Sequence, residues 1–269
     1  MDKVVSWREG RIESNSNPER ISGKNAGMAV RFKTEKDEKV MLKVAISYVS
    51  VEQARKNMLT ELSGWDFEQV KQSSFSEWND WLGRIEVEGG SREQQIKLYT
   101  DLWHALLGRH VVSDADGHYM DMTSDFPRIR QIPLGEDGKP LYNHHNFDAW
   151  WGSHWSLNIL WSMAYPEVMD NFCNTMIDMY QNGGLIPRGP SGGNYTYVMI
   201  GDPAVSFFAS AYNKGIRNYD AELAYEGLRK NAFVGGIRDH AGYEHSKTAY
   251  SGGMKYYEER GYVPDGRKD

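Results

Sequence analysis

Polar and apolar positions alternate in two early stretches, residues 26–33 and 39–48, with Val40, Leu42, Val44 and Ile46 on one face of the second. Alternation of period two, with the charged Glu35-Lys36-Asp37 between the stretches, predicts a β-hairpin. A lone hairpin is marginal in water, so these strands are expected to belong to a larger sheet. The opening through Asn25 is polar, carries Asn-Pro and Gly punctuation, and reads as loop.

From Ser50 the period becomes helical. Ser50 with Gln53 and Ser91 with Gln94 have the spacing of capping boxes, and Asp66 precedes a stretch holding Phe67, Val70, Trp78 and Trp81. Three helices are predicted, the third placing Ile96, Tyr99, Leu102, Trp103 and Leu106 on one buried face. Residues 110–145, with Pro127, Pro133 and Pro140, read as a long loop, and loops of that length usually carry function. A helical stretch follows from near Phe147 to about Tyr165, and Pro166 opens another that ends at Gly183-Gly184. Residues 185–201 form a glycine-rich loop, Asp202-Pro203 opens a helix through Ala211, and Asp220 opens one through Asn231. The rest shows no strong period, and Val263-Pro264-Asp265-Gly266 reads as a turn. Helices joined alternately by short and long loops predict a mainly α fold, an all-α toroid of helical hairpins of which half a ring is expected here. The long loops of such a ring gather at one end.

Composition narrows the function classes. The 269 residues, 40% hydrophobic and 25% charged, are ordinary globular material, which excludes disorder and fibres. A net charge of -6 leaves no basic field for a nucleic-acid backbone. No apolar run approaches the roughly 20 residues that span a bilayer. The single Cys173 excludes an internal disulfide framework and a multi-cysteine zinc site. Nine Trp and sixteen Tyr suit a protein that stacks flat rings against something, although rings also simply fill cores.

Four segments could carry chemistry. In Asn143 to Asn158, Trp150, His154 and Asn158 recur every four residues beside a stripe of Trp151 and Trp155. Rings next to hydrogen-bonding groups suit a pyranose, which presents apolar C–H faces and a rim of hydroxyls; the alternative is a core helix with a satisfied histidine. Gly184 to Thr196 is a loop whose backbone can approach a ligand closely. There Arg188 could fork to hydroxyls or a carboxylate, or merely cover a helix end, and the lysine of a phosphate loop is absent. Ser113 to Tyr119 starts like a calcium loop but lacks the third early ligand and the closing glutamate, so it reads as a turn. The tail groups Asp239, His240, Glu244 and His245, which could serve metal binding or acid-base work, or could form a solvated loop. Glycosidases need two carboxyls, about 6.5–9.5 Å apart for inversion or about 5–5.5 Å for retention. Asp125, Asp148, Asp202 and Glu244 are candidates by position, and their spacing selects no pair.

The chain resembles glycoside hydrolase family 92, the calcium-dependent exo-acting, inverting α-mannosidases that join an N-terminal β-sandwich to a helical toroid. The likeness runs through Lys43 to Arg55, Gly64-Trp65-Asp66-Phe67, Arg84 to Gly89, Leu98 to His104, Ser113-Asp114 and Met199 to Asp202. It implies that residues 1–49 are a β-hairpin remnant of the sandwich, 50–88 the helical linker, and 89–269 the first part of an (α/α)6 toroid. It also implies a mannose-containing glycan as partner, calcium as cofactor, and a periplasmic or extracellular parent protein. The catalytic glutamate and aspartate and most calcium ligands are expected beyond Asp269, so catalytic residues stay unassigned and the isolated chain is expected to be inactive.

The sequence departs from the family where many members follow a Trp with a sugar-gripping Asp: Trp150 is followed by Trp151, and Asp148 lies nearby. The common Gly-Asn-Glu-Thr is here Gly193-Asn194-Tyr195-Thr196. Trp150, Trp151, His154, Arg188, Asn194 and Asp148 are therefore the expected sugar-binding residues. The rival readings are a metal-independent toroid glycosidase and a non-catalytic carbohydrate-binding or scaffold fragment.

Overall fold

The structure, a computed structural model, describes residues 3–13, 21, 23–147, 150–197, 201–240 and 252–265. It divides into two compact units, Met1–Lys43 and Val44–Asp269. In the first unit, β1 (Lys3–Arg8), β2 (Arg11–Glu13) and β3 (Gly27–Arg31) form an antiparallel sheet in the order β2-β1-β3. This corrects two expectations, because the polar opening supplies two strands and β3 pairs with β1 rather than with residues 39–48. Local chemistry explains the change. Glu9 and Gly10 both adopt positive φ, as a tight two-residue hairpin turn requires, and Val4 and Val5 of β1 lie opposite Val30 and Ala29. Residues 39–47 form no strand, and Val40, Leu42, Val44 and Ile46 are exposed.

The second unit is mainly helical. Helices α1 (Val51–Glu61), α2 (Phe67–Leu82) and α3 (Arg92–Leu107) begin where their caps predict. The Ser50, Asp66 and Ser91 side chains accept from the amides of Gln53, Gln69 and Gln94, and Ser91 with Gln94 completes the reciprocal box. The Gln53 side chain instead donates to Asp116 at 2.9 Å, tying α1 to the turn at 114–117. On α3 only Leu102 and Leu106 are buried, while Ile96 is 53% exposed and Trp103 exposed, so its buried face is narrower than expected.

The expected loop at 110–145 contains small β elements. Strand β4 (His110–Val111) pairs with β7 (His145–Asn146), and β5 (His118–Asp121) pairs with β6 (Arg128–Gln131). The expected helix from Phe147 is broken: a 3-10 turn, Trp150–Trp155, precedes α4 (Leu157–Ala164). Then follow α5 (Pro166–Gly183), α6 (Pro203–Asn213), α7 (Ala221–Asn231), a 3-10 turn at Ile237–Asp239, and α8 (Gly253–Arg260), which the tail's weak periodicity concealed.

Helix α5 is the spine of this unit. It buries Val168, Met169, Phe172, Cys173, Met176 and Ile177 and packs against α4, α6 and α7. Its start is pinned at Arg84, which stacks on Trp81 at 4.2 Å, pairs with Glu167 at 2.5 Å and donates to the Ala164 carbonyl at 3.1 Å. Its end is set by Gly184 at φ 89°, a left-handed cap that costs glycine nothing. Around its middle, Trp150, Trp161, Phe172 and Phe207 pack edge to face and stacked, with Trp161 and Phe172 5.5 Å apart at 9°.

Phe172→Ala is expected to cost about 3–5 kcal/mol, whereas Ile96→Ala on the exposed side of α3 should cost less than about 1 kcal/mol. Urea titration followed by circular dichroism reads both, and equal losses would show that α3 is buried as its sequence pattern first implied.

Candidate functional site

The loop after α5 is held from three sides. The Phe147 amide donates to the Pro190 carbonyl at 3.0 Å, the Gly192 amide to Asn146 Oδ1, and the Met122 amide to the Gly193 carbonyl at 3.0 Å. Gly193 has φ 74° and lies so close to β5 that a Cβ there would meet the Met120 carbonyl oxygen at 2.5 Å. The Tyr195 hydroxyl donates to the Met179 carbonyl at 2.7 Å and accepts from the Leu185 amide at 3.2 Å. Asn194 is half-buried; it bridges to Ser191, and its side-chain oxygen accepts from the Tyr195 amide at 2.8 Å.

Arg188, 1% exposed, locks this loop to the next two. Its Nε donates to the Gly201 carbonyl at 2.8 Å, and one terminal nitrogen donates to the carbonyls of Ile237, at 2.6 Å, and His240. The other terminal nitrogen, Nη1, meets no described acceptor. Behind it, the Asp202 side chain is fully enclosed, 3.8 Å from Arg238. Burial pushes the Asp202 carboxyl up to about 6 against the lowering pull of Arg238, Asn231 and Arg188. Neither carboxyl oxygen has a described donor at hydrogen-bonding geometry, so burial prevails. The Asn231 amide donates instead to the Ile186 carbonyl at 2.8 Å.

The 3-10 turn separates the expected ring residues. With three residues per turn, positions i and i+3 share a line. Trp150 and Ser153 point inward, and Ser153 Oγ donates to the Trp150 carbonyl at 2.9 Å. Trp151 with His154 and Gly152 with Trp155 form two outer lines; Trp151 is 59% and Trp155 76% exposed, and His154 is exposed. The expected four-residue alignment of Trp150, His154 and Asn158 is therefore corrected. Trp150 is 0% exposed, edge-on to Phe207 at 3.9 Å and to Phe172 at 4.8 Å, so no ring face is free for a sugar. Arg188 spends its Nε and one terminal nitrogen on backbone carbonyls and keeps Nη1 without a described acceptor. Asp148, Glu244 and His245 lie outside the described residues; Asp125 is exposed.

Comparison with known proteins decides what this frame belongs to. The sequence model of the "Glycosyl hydrolase family 92 catalytic domain" matches residues 53–269. The chain belongs to glycosyl hydrolase family 92. It is similar to an uncharacterized secreted glycosidase of Arthroderma benhamiae, 26% identical over 214 residues, 78% of this chain and 22% of that protein. Two solved structures from Bacteroides thetaiotaomicron share its fold. One is a family 92 inverting mannosidase (TM-score 0.73, 22% identity, 98% of this chain and 33% of that one). The other is a family 92 α-mannosidase (TM-score 0.73, 22% identity, 97% and 33%), also solved with mannoimidazole. The chain thus spans about a fifth of the curated relative and a third of the solved chains.

The family implies calcium, which takes about six to eight oxygen ligands, and carboxylates of this family 92 chain are already engaged by protein donors. Asp114 accepts from Ser47 and Asn57, and Asp116 from Gln53, Lys56 and His118, so the expected turn is a hub for protein donors. Asp121 is saturated by Thr123, Arg128 and Arg130. Among the described residues no group of three or more His, Cys, Asp or Glu side chains could hold a metal ion, so calcium does not fit them.

A second titratable cluster went unread in the sequence because its members lie up to 59 residues apart, with no shared period. Tyr142 donates to both oxygens of Asp178 at 2.9 Å, His144 stacks on Tyr119 at 4.1 Å, and His144 Nε2 lies 3.9 Å from Asp178. Burial lifts Asp178 to about 7, with Asp121 adding to the rise, and lowers His144 to about 3, with His145 adding to the fall.

Arg188→Met strips donors from three carbonyls and is expected to cost on the order of 3 kcal/mol in denaturant titrations. Arg188→Lys should not rescue it, because an ammonium cannot reproduce the fork. For Asp178 the folded chain keeps a proton that the unfolded chain releases above its ordinary 3.8, so its contribution to stability falls as pH rises towards 7. His144 acts oppositely, since the unfolded chain takes up a proton below 6.5 and stability is lost as pH falls. Asp178→Asn should therefore gain stability relative to the parent chain between pH 4 and 8, and a pH-independent difference would show that Asp178 is ionised in the fold.

Proposed function

We propose that this chain forms part of a glycoside hydrolase that removes terminal α-linked mannose from glycans with inversion, in an exported protein. The observation that carries this reading is the family match over residues 53–269, supported by fold likeness to an inverting mannosidase. The secreted description of the fungal relative supports export. No described helix is long and apolar enough to cross a membrane. In this reading residues 1–49 belong with a β-sandwich, 50–88 form the helical linker, and the helices from α3 onward belong to an (α/α)6 toroid.

The chain's own part is sugar contact. Trp151, His154 and Asn194 meet the glycan, with Asp148 from the adjoining segment, while Trp150 and Arg188 hold the loops that present them. Asp178 and Asp202, whose raised carboxyls favour the protonated form at mildly acidic pH, are occupied structurally: the first holds Tyr142 and the second is fully enclosed. That enclosure is the specific observation favouring the second reading, a carbohydrate-binding piece without its own acid and base.

Hydrolysis of an aryl α-mannoside separates the two. The protein carrying this chain at full family length is expected to release the β-anomer first by proton NMR and to lose turnover with a calcium chelator. The isolated chain, once shown folded, should bind without turnover. Release of the α-anomer would overturn inversion; turnover by the isolated chain would place the acid and base within it. Chelator-resistant turnover would favour a metal-independent glycosidase.

A further inference from the structure

Helices α6 and α7 line an open groove of about 840 Å3. Its floor is apolar, with Phe208 from α6 and Ala224 and Leu228 from α7, and Tyr212 and Phe233, 46% and 50% exposed, raise its sides. Tyr225 stands on the rim and is 66% exposed. Arg217 stacks on the Tyr212 ring at 3.9 Å and donates to the Tyr212 carbonyl at 3.1 Å, so that side is fixed before anything docks.

The charges on the rim select the occupant. Glu222, Tyr225 and Arg229 follow one stripe of α7 at three- and four-residue steps. Glu226 accepts from the Tyr180 hydroxyl at 2.7 Å and Lys230 lies over the Tyr180 ring, whereas Glu222 and Arg229 have no described side-chain partner. These two unpartnered charges are opposite in sign and flank Tyr225 almost evenly along the helix. A second α7 laid antiparallel across a two-fold axis near Tyr225 therefore sets Glu222 of each copy against Arg229 of the other. A rim of one sign would repel its own copy; this one matches itself.

We infer that the α6–α7 groove is a self-association surface, through which two copies of this chain pair about a two-fold axis. Each Tyr225 enters the other copy's groove, and two reciprocal Glu222–Arg229 pairs close the rim. An aromatic centre within a charged rim is the ordinary anatomy of a protein interface. The buried ring carries most of the affinity, while the exposed ion pairs fix register and penalise wrong alignments. The inference stands apart from the glycan reading above.

The test is sedimentation velocity on the folded chain over a range of roughly 1 to 100 μM, with circular dichroism to check each variant. The expected result is a monomer–dimer equilibrium, weakened about tenfold or more by Tyr225→Ser and, singly, by Glu222→Arg and Arg229→Glu. The fold should survive all three changes, because each side chain is exposed. Leu59→Ser, at a similarly exposed apolar position on α1, should leave association unchanged. An equal mixture of the two charge variants should dimerise as the parent chain does, since every rim contact between them is again of opposite sign. Glu222 and Arg229 also suit the two ends of the helix dipole, so the mixture carries the decision rather than either variant alone.

A chain that stays monomeric at every concentration would overturn the proposal and leave the groove to another segment or another protein. A dimer indifferent to Tyr225→Ser would overturn it as well, by placing the contact elsewhere. So would charge variants that stay apart when mixed, because rescue requires residue 222 of one copy to face residue 229 of the other. The glycosidase reading is judged separately, by hydrolysis.

Discussion

Burial of the Trp150 side chain governs the geometry around it. A tryptophan that lies edge-on to Phe172 and Phe207 cannot be withdrawn without opening the middle of α5. Once it is fixed, the period of the turn decides the rest. Three residues per turn send Ser153 inward with Trp150 and leave Trp151, His154 and Trp155 outside. An α-helical period would have aligned Trp150 with His154 and buried the histidine. Core packing and surface chemistry are thus two consequences of one anchored ring.

Arg188 is the polar counterpart. A buried guanidinium is costly unless its donors are used, and here its carbonyl acceptors come from residues 201, 237 and 240. The same loop is strapped by backbone bonds to Asn146, Phe147 and Met122. The segment leading into the 3-10 turn and the glycine-rich loop are therefore held against each other.

Burial also sets the protonation pattern. The groups with the largest resolved shifts between ordinary pH limits, Asp178, Asp202, His144 and His145, all move towards their neutral forms with desolvation as the leading cause. Asp116, at the surface turn, moves the other way because His118, Gln53 and Lys56 donate to it. The contrast distinguishes carboxyls enclosed by packing from one organised by donors, and neither kind forms a metal cage among the described residues.

Elements governed by neighbours in sequence were legible without a structure. Ser50, Asp66 and Ser91 mark helix starts because a cap bonds three residues ahead, and Pro166 and Gly184 bound α5 for similarly local reasons. The family, too, could be read from short segments, and its model matches residues 53–269. The site was only partly legible: Trp151, His154 and Asn194 emerge at or near the surface, but Trp150 and Arg188 turn inward. Strand partners, the buried side of α3, the 3-10 break at Ser156 and the meeting of Asp178 with His144 were decided by the tertiary structure. Each depends on which distant surface competes best for an apolar ring or a polar atom, and a linear period records that a side chain wants burial without recording what will bury it.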